Sequence, residues 1–98
     1  MLFVLSIYDG AAKYFMSPFA VNNTGIALRE FMDAANNKET FIAKHPADYT
    51  LFLLGSFDEV TGTFDILPAP QRLGVAIEFV RGHVVPDPAP GFSRDDVN

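Results

Sequence analysis

Apolar positions in this chain fall into short blocks separated by glycine, proline and asparagine, and each block carries its own period. Residues 2–8 (LFVLSIY) are rich in strand-forming side chains and end at the turn pair Asp9-Gly10, so they predict a first strand. Tyr14-Phe15-Met16 and Phe19-Ala20-Val21 flank Ser17-Pro18. Proline has no N–H to give to a ladder, so a second strand here is expected to be an edge or to be broken. Asn23 or Thr24 can cap a helix, and Ile26, Ala27, Phe31, Ala34 and Ala35 recur at helical spacing, which predicts a helix from about Thr24 to Asn36. Arg29, Glu30 and Asp33 fall on its opposite face, and Asn36-Asn37 is expected to end it through the left-handed turn that asparagine tolerates.

In residues 49–57 (YTLFLLGSF), Leu51 and Leu53 point one way while Phe52 and Leu54 point the other, which predicts a central strand covered on both faces. Asp58-Glu59-Val60-Thr61-Gly62 supplies a side-chain acceptor at the start of a turn and a permissive glycine at its end, so residues 63–67 return as the second arm of a hairpin. Pro68-Ala69-Pro70 is expected to interrupt that return. Residues 73–80 (LGVAIEFV) are β-branched enough for a strand, with a short helix as the alternative because the apolar residues also fall at helical offsets. Beyond Arg81, Gly82, Pro86, Pro88, Pro90 and Gly91 read as a flexible tail. The pattern predicts an α+β fold: a small, mostly antiparallel sheet, one main helix packed on it and a central β-hairpin. Residues 1–81 are expected to form a single domain and residues 82–98 a flexible Pro-rich C-terminal tail.

Composition narrows the partners. A chain of 98 residues buries roughly 60–65% of its extended surface and has material for one core. With 49% hydrophobic and 19% charged residues it is too apolar to stay unfolded, and some apolar surface is expected to seek a partner. Its longest apolar runs, such as 51–54 and 75–77, fall far short of the ~20 residues of a membrane span, so no membrane partner is expected. The opening MLFVL has no preceding Lys or Arg and meets Asp9 at once, which favours a strand over a signal peptide. The absence of cysteine rules out disulfides and thiolate metal sites and suits a reducing cytoplasm. Twelve acids against seven bases give a net charge of −5, the wrong sign for a surface that attracts nucleic acid as a whole. Asp87, Asp95 and Asp96 outnumber Arg94 in the tail, and the body remains acidic without it. Any DNA contact must therefore be local.

The segment His45-Pro46-Ala47-Asp48 is the most suggestive of chemistry. His45 and Asp48 could orient one another as base and carboxylate, yet no serine or cysteine nucleophile is placed beside them. The stronger reading is a corner: Pro46 pushes His45 toward an extended conformation, and the Asp48 carboxylate accepts from backbone N–H groups at the strand entrance. Two histidines, His45 and His83, are too few for a metal site, and Asp58, Glu59 and Asp65 lack calcium-loop spacing. The glycines form neither a dinucleotide fingerprint nor a phosphate loop, so neither cofactor nor catalysis is expected. What remains is aromatic and basic: Tyr8, Lys13, Tyr14 and Phe15 near the start, and Arg29, Lys38, Lys44, His45 and Arg72 elsewhere. Single strands are held by bases stacked on aromatics beside cations. The phenylalanines, Phe15, Phe52, Phe57 and Phe64 among them, read more simply as core.

In order along the chain, SIYD (6–9), PF (18–19), FMDAAN (31–36), KHPADYTLFLLGSFDEVTGTF (44–64) and LGVAIEF (73–79) resemble the small nonstructural protein of the gokushovirus group of microviruses, which are single-stranded DNA phages. The likeness spans most of residues 3–80 and none of the tail. It implies a non-enzymatic accessory protein of the host bacterial cytoplasm, absent from the virion, which binds DNA or assists single-stranded genome synthesis. Two readings follow. In the first, a local patch engages single-stranded DNA or the phage replication complex, with Lys38, Lys44, His45 and Arg72 as its nucleic-acid-binding residues. In the second, the chain is an interaction module that self-associates into a homo-oligomer through sheet edges or apolar surface, acting on a viral or host protein without touching DNA.

Overall fold

The computed structural model describes residues 1–82, and all but Gly82 of the expected tail lies outside them. The chain runs through strand β1 (Leu2–Asp9), two short strands β2 (Tyr14–Phe15) and β3 (Phe19–Val21), helix α1 (Thr24–Asn36), a short helix α2 (Phe41–Lys44), strand β4 (Tyr49–Asp58) and strand β5 (Thr63–Val75). A 3-10 turn, Pro46–Asp48, leads into β4, and another, Ala76–Phe79, follows β5. The sheet is antiparallel with the order β2-β1-β4-β5, and β3 pairs with β1 beside β2. It is a curled half-barrel.

The proline at 18 acts as its chemistry requires. β2 pairs with the Tyr8-Asp9 end of β1 and β3 with Phe3, Val4 and Leu5, so the two form one edge strand broken around Pro18. The hairpin is also as the sequence predicts. Asp58 Oδ1 accepts from the Val60 N–H at 2.9 Å, and Gly62 turns the chain with φ +74°. Pro68 and Pro70 do not end the return strand: β5 continues through them for 13 residues. The register explains this, because Leu53 pairs with Gln71 and Gly55 with Ile66, leaving residues 67–70 bulged on an edge strand where no ladder N–H is required. The strand favoured for residues 73–80 is corrected as well. It stops at Val75, and Ala76–Phe79 turns as a 3-10 helix because the Glu78 carboxylate reaches back to the Val75 N–H at 3.0 Å.

Helix α1 starts as expected, with Asn23 Oδ1 accepting from the Ile26 N–H at 3.0 Å. Ala27, Phe31 and Ala35, four residues apart, are its buried stripe, whereas Ile26 is exposed. The helix does not end on a left-handed asparagine, since Asn37 is extended at φ −99°. Side chains close it instead. The Thr40 hydroxyl donates to the Ala34 carbonyl at 2.6 Å, and Asn36 Nδ2 donates to the carbonyls of Met32 at 2.8 Å and Phe79 at 2.9 Å. Asn36 Oδ1 in turn accepts from the Arg81 N–H at 2.8 Å, so one side chain ties the end of the helix to the end of the described chain. Replacing Asn36 with alanine strands these groups and is expected to cost about 1–3 kcal/mol in urea denaturation, with faster amide exchange at Arg81.

The core lies on one side of the sheet. Leu5 and Leu51 on β1 and β4 meet Ala27, Phe31 and Ala35 of α1, Ile42 of α2 and Ala76. Gly74 lies on this side, and a Cβ there would stand 2.7 Å from the Phe79 ring, so its bareness lets Phe79 close the layer. Among the described residues, no helix covers the other face of β4, which the sequence led us to expect covered. Phe52 and Leu54 are only half-buried, because α1 and α2 both pack on the Leu51 side. Among the described residues no helix is long and apolar enough to cross a membrane.

Candidate functional site

The face of the sheet turned away from α1 carries two apolar patches. Residues opposite one another across strands share a face, so the register places Tyr8, Ser6 and Phe52 together, with Phe15 beside Tyr8 on β2 and Arg72 beside Phe52 on β5. The three rings pack tilted or edge to face. Phe15 lies 4.8 Å from Tyr8 and 5.4 Å from Phe52, centroid to centroid, and Tyr8 lies 6.3 Å from Phe52. An aromatic row thus crosses β2, β1 and β4, with Arg72 next in register to Phe52 on β5 and its guanidinium bound to Glu78. Lys13 lies in the turn before β2, where φ +63° and the Asp9 carboxylate, accepting from the Ala11 and Ala12 N–H groups, fix the loop.

Ser6 is the only polar residue buried among the described ones, and its hydroxyl donates to the Met16 carbonyl at 2.6 Å. The chain between β2 and β3 is fastened there. On the other side of Ser6 along β1, Val4 pairs with Ala20 and Gly55, and Leu2 pairs with Phe57, which pairs with Phe64. Leu2, Val4, Pro18, Ala20, Phe57 and Phe64 line an open groove of about 310 Å³.

The four cationic residues singled out from sequence lie on three different parts of the fold. Lys38 is exposed in the turn after α1 and lines a surface cavity of about 330 Å³ with Ala35, Asn36, Ala43, Val80 and Arg81. Arg81, not singled out from the sequence, is the cation brought to Lys38. Lys44 and His45 are exposed at the end of α2. Arg72 belongs to the sheet, and its Nη2 lies 2.8 Å from Glu78 Oε2. His45 and Asp48 share no side-chain hydrogen bond. Asp48 acts through its backbone, with its N–H donating to the His45 carbonyl and its own carbonyl accepting from Gly10, and not through its carboxylate as the sequence suggested. His45 itself sits at φ −139° and ψ 60°, joining α2 to the 3-10 turn. Among the described residues no three His, Asp or Glu side chains gather as a metal site.

The core reading of the phenylalanines needs correcting in part. Phe31 is buried and Phe19 and Phe79 pack on the core, whereas Phe15 and Phe64 are 42% and 61% exposed on the open face. Glu78 is held below the usual carboxylate range, first by the Val75 N–H and then by Arg72. Its depressed pKa means that the contact stabilises the fold above the ordinary value of 4.5 and is lost as pH falls through the folded pKa. Glu78→Gln is therefore expected to flatten the fall of the melting temperature between neutral pH and about pH 3, read by circular dichroism. Some acid sensitivity should persist, because Asp58 and Glu59 are depressed too, by the Val60 N–H and by the N-terminal ammonium respectively.

No curated protein and no solved structure matches the sequence. Residues 2–79 match the family described as Phage ORF5 protein, from the first residue of β1 to the end of the turn that carries Glu78, so the whole sheet and its open face fall within the match and the chain belongs to the phage ORF5 protein family.

Proposed function

We propose that this phage protein is a non-enzymatic accessory of microviral genome synthesis that holds single-stranded DNA on the Tyr8–Phe15–Phe52 row, in the cytoplasm of the host and outside the virion. The observation that supports this reading is the row itself: three clustered rings on the sheet face that, among the described residues, no helix covers, with Lys13 in the turn before β2 and Arg72 beside Phe52 on β5. Bases stacked on aromatic side chains contribute about 1–3 kcal/mol each, and every base has a π-face, so such a site is tolerant of sequence. Stacking also suits a chain of net charge −5, which cannot rely on a cationic coat. Lys38, Lys44 and His45 lie on other elements and contribute a secondary contact at most.

The salt dependence tests this directly. Each phosphate neutralised on a single strand gives a slope of about −0.7 in log affinity against log salt. A site with three rings, Lys13, and Arg72 held by Glu78 should bind a labelled oligothymidine with a slope no steeper than about −1.4, shallower than a site built mainly on charge. Failure to bind at low salt sinks the proposal. A slope beyond about −3 would show that a larger cationic surface is engaged.

A further inference from the structure

The second patch of the open face has a different chemistry, and we propose that it is the contact surface with a second copy of this chain. Two rows of apolar residues cross the strands here, Leu2–Phe57–Phe64 and Ala20–Val4–Gly55–Ile66. The β5 backbone at Asp65 and Ile66 closes over the bare Gly55, and the groove of about 310 Å³ opens beside it between Leu2, Val4, Phe57 and Phe64. The Ile66 and Phe64 side chains form the ridge, at 60% and 61% exposure. A groove and a ridge of the same chemistry side by side form a self-complementary surface under a two-fold axis, with each Ile66 facing the groove of the other copy.

Charge selects the occupant. Neither row contains Lys, Arg, His, Asp or Glu, so nothing here can neutralise a phosphate. Two chains of net charge −5 repel one another everywhere except across a neutral face, and an isologous contact through these rows keeps the like charges at its rim. The sheet edges offer no substitute. Pro68 and Pro70 bulge β5, and Pro18 breaks the opposite edge, so strand-to-strand joining is blocked at both. Four strands about 4.8 Å apart and two rows spanning about four residues of 3.3 Å rise give a footprint of roughly 19 by 13 Å, well below the ~800 Å² per partner of a standard interface. The contact thus belongs to the concentration-dependent class and not to obligate dimers. The inference is independent of DNA binding, since the aromatic row stays uncovered in such a dimer.

Sedimentation of the full 98-residue chain over a concentration series tests it. The wild-type mass should rise toward twice that of the chain, and added salt should not weaken the association, because screening relieves the repulsion of like charges. Ile66→Glu sets two carboxylates across the axis and should move the midpoint at least tenfold, whereas Met32→Glu on the helix side should leave it in place. The chain has no cysteine, so Ile66→Cys and Met32→Cys each carry a single thiol, and the first should oxidise to a covalent dimer at concentrations where the second does not. These thiol variants keep the test valid if Ile66→Glu fails to fold. A wild type that stays monomeric throughout, dimerisation unchanged by Ile66→Glu, or preferential cross-linking at position 32 would each overturn the proposal.

Discussion

Gly55→Ala is expected to destabilise the protein by on the order of 3 kcal/mol, the largest loss from adding a single methyl group to the hairpin. A Cβ at this position would overlap the Asp65 carbonyl oxygen and stand 2.9 Å from the Cα of Ile66. Both obstacles are backbone, so no rotamer change relieves them, and the hairpin would have to open where β4 and β5 change register. A domain of this size has a total stability of roughly 5–10 kcal/mol, so a large share would be lost. Gly62 in the same hairpin provides the comparison. A Cβ there meets nothing within 4 Å, and only its φ of +74° opposes a side chain. Gly62→Ala should therefore cost only about 1–2 kcal/mol. Urea denaturation of the two variants checks the difference, and equal losses would show that the close approach at Gly55 relaxes easily.

Phe15→Ala should weaken binding of single-stranded DNA by roughly 5- to 150-fold while leaving the fold in place, the fold-change that corresponds to one lost stack of about 1–3 kcal/mol. Phe15 is the most exposed ring of the row and lies on the short edge strand β2, so its removal disturbs little packing. It touches both Tyr8 and Phe52, which makes it the centre of the cluster. Phe41→Ala is the matched control. Phe41 is 47% exposed and packs 5.1 Å from Tyr49, so a similar ring is lost away from the row. Anisotropy titrations at low salt should separate the two variants, and equal affinities would remove Phe15 from the site.

The chain advertises its local chemistry and conceals its layers. Helix α1 is legible because Asn23 caps it and Ala27, Phe31 and Ala35 repeat every four residues. The hairpin is legible because Asp58 and Gly62 each have one favourable role in a tight turn. The continuation of β5 through Pro68 and Pro70 is not, since a proline's cost depends on whether its partner strand asks for an N–H, and that is a matter of register. Residues 76–79 carried both periods, and the choice of a 3-10 turn rests on Glu78, Val75 and the Gly74–Phe79 contact, which only the fold brings together.

The open face was hidden for a related reason. Alternating Leu51, Phe52, Leu53 and Leu54 reads as two buried faces, yet one long helix can cover only one side of a sheet. A count of covering elements against sheet faces would have exposed Phe52 and Phe64. Tyr8, Phe15 and Arg72 were visible as types of residue, whereas their alignment with Phe52 depends on cross-strand pairing. Lys38, Lys44 and His45 drew attention as cations in a chain that has few, and the fold leaves them on the helices and turns of the other layer.

The location of the single strand is the central claim, and an NMR titration of the labelled protein with oligothymidine tests it most directly. The ring resonances of Tyr8, Phe15 and Phe52 and the guanidinium of Arg72 should shift together and saturate with one affinity, while signals from α1 and from Phe41 stay in place. Shifts centred on Lys38, Lys44 and Arg81 with the aromatic row unmoved would contradict the account.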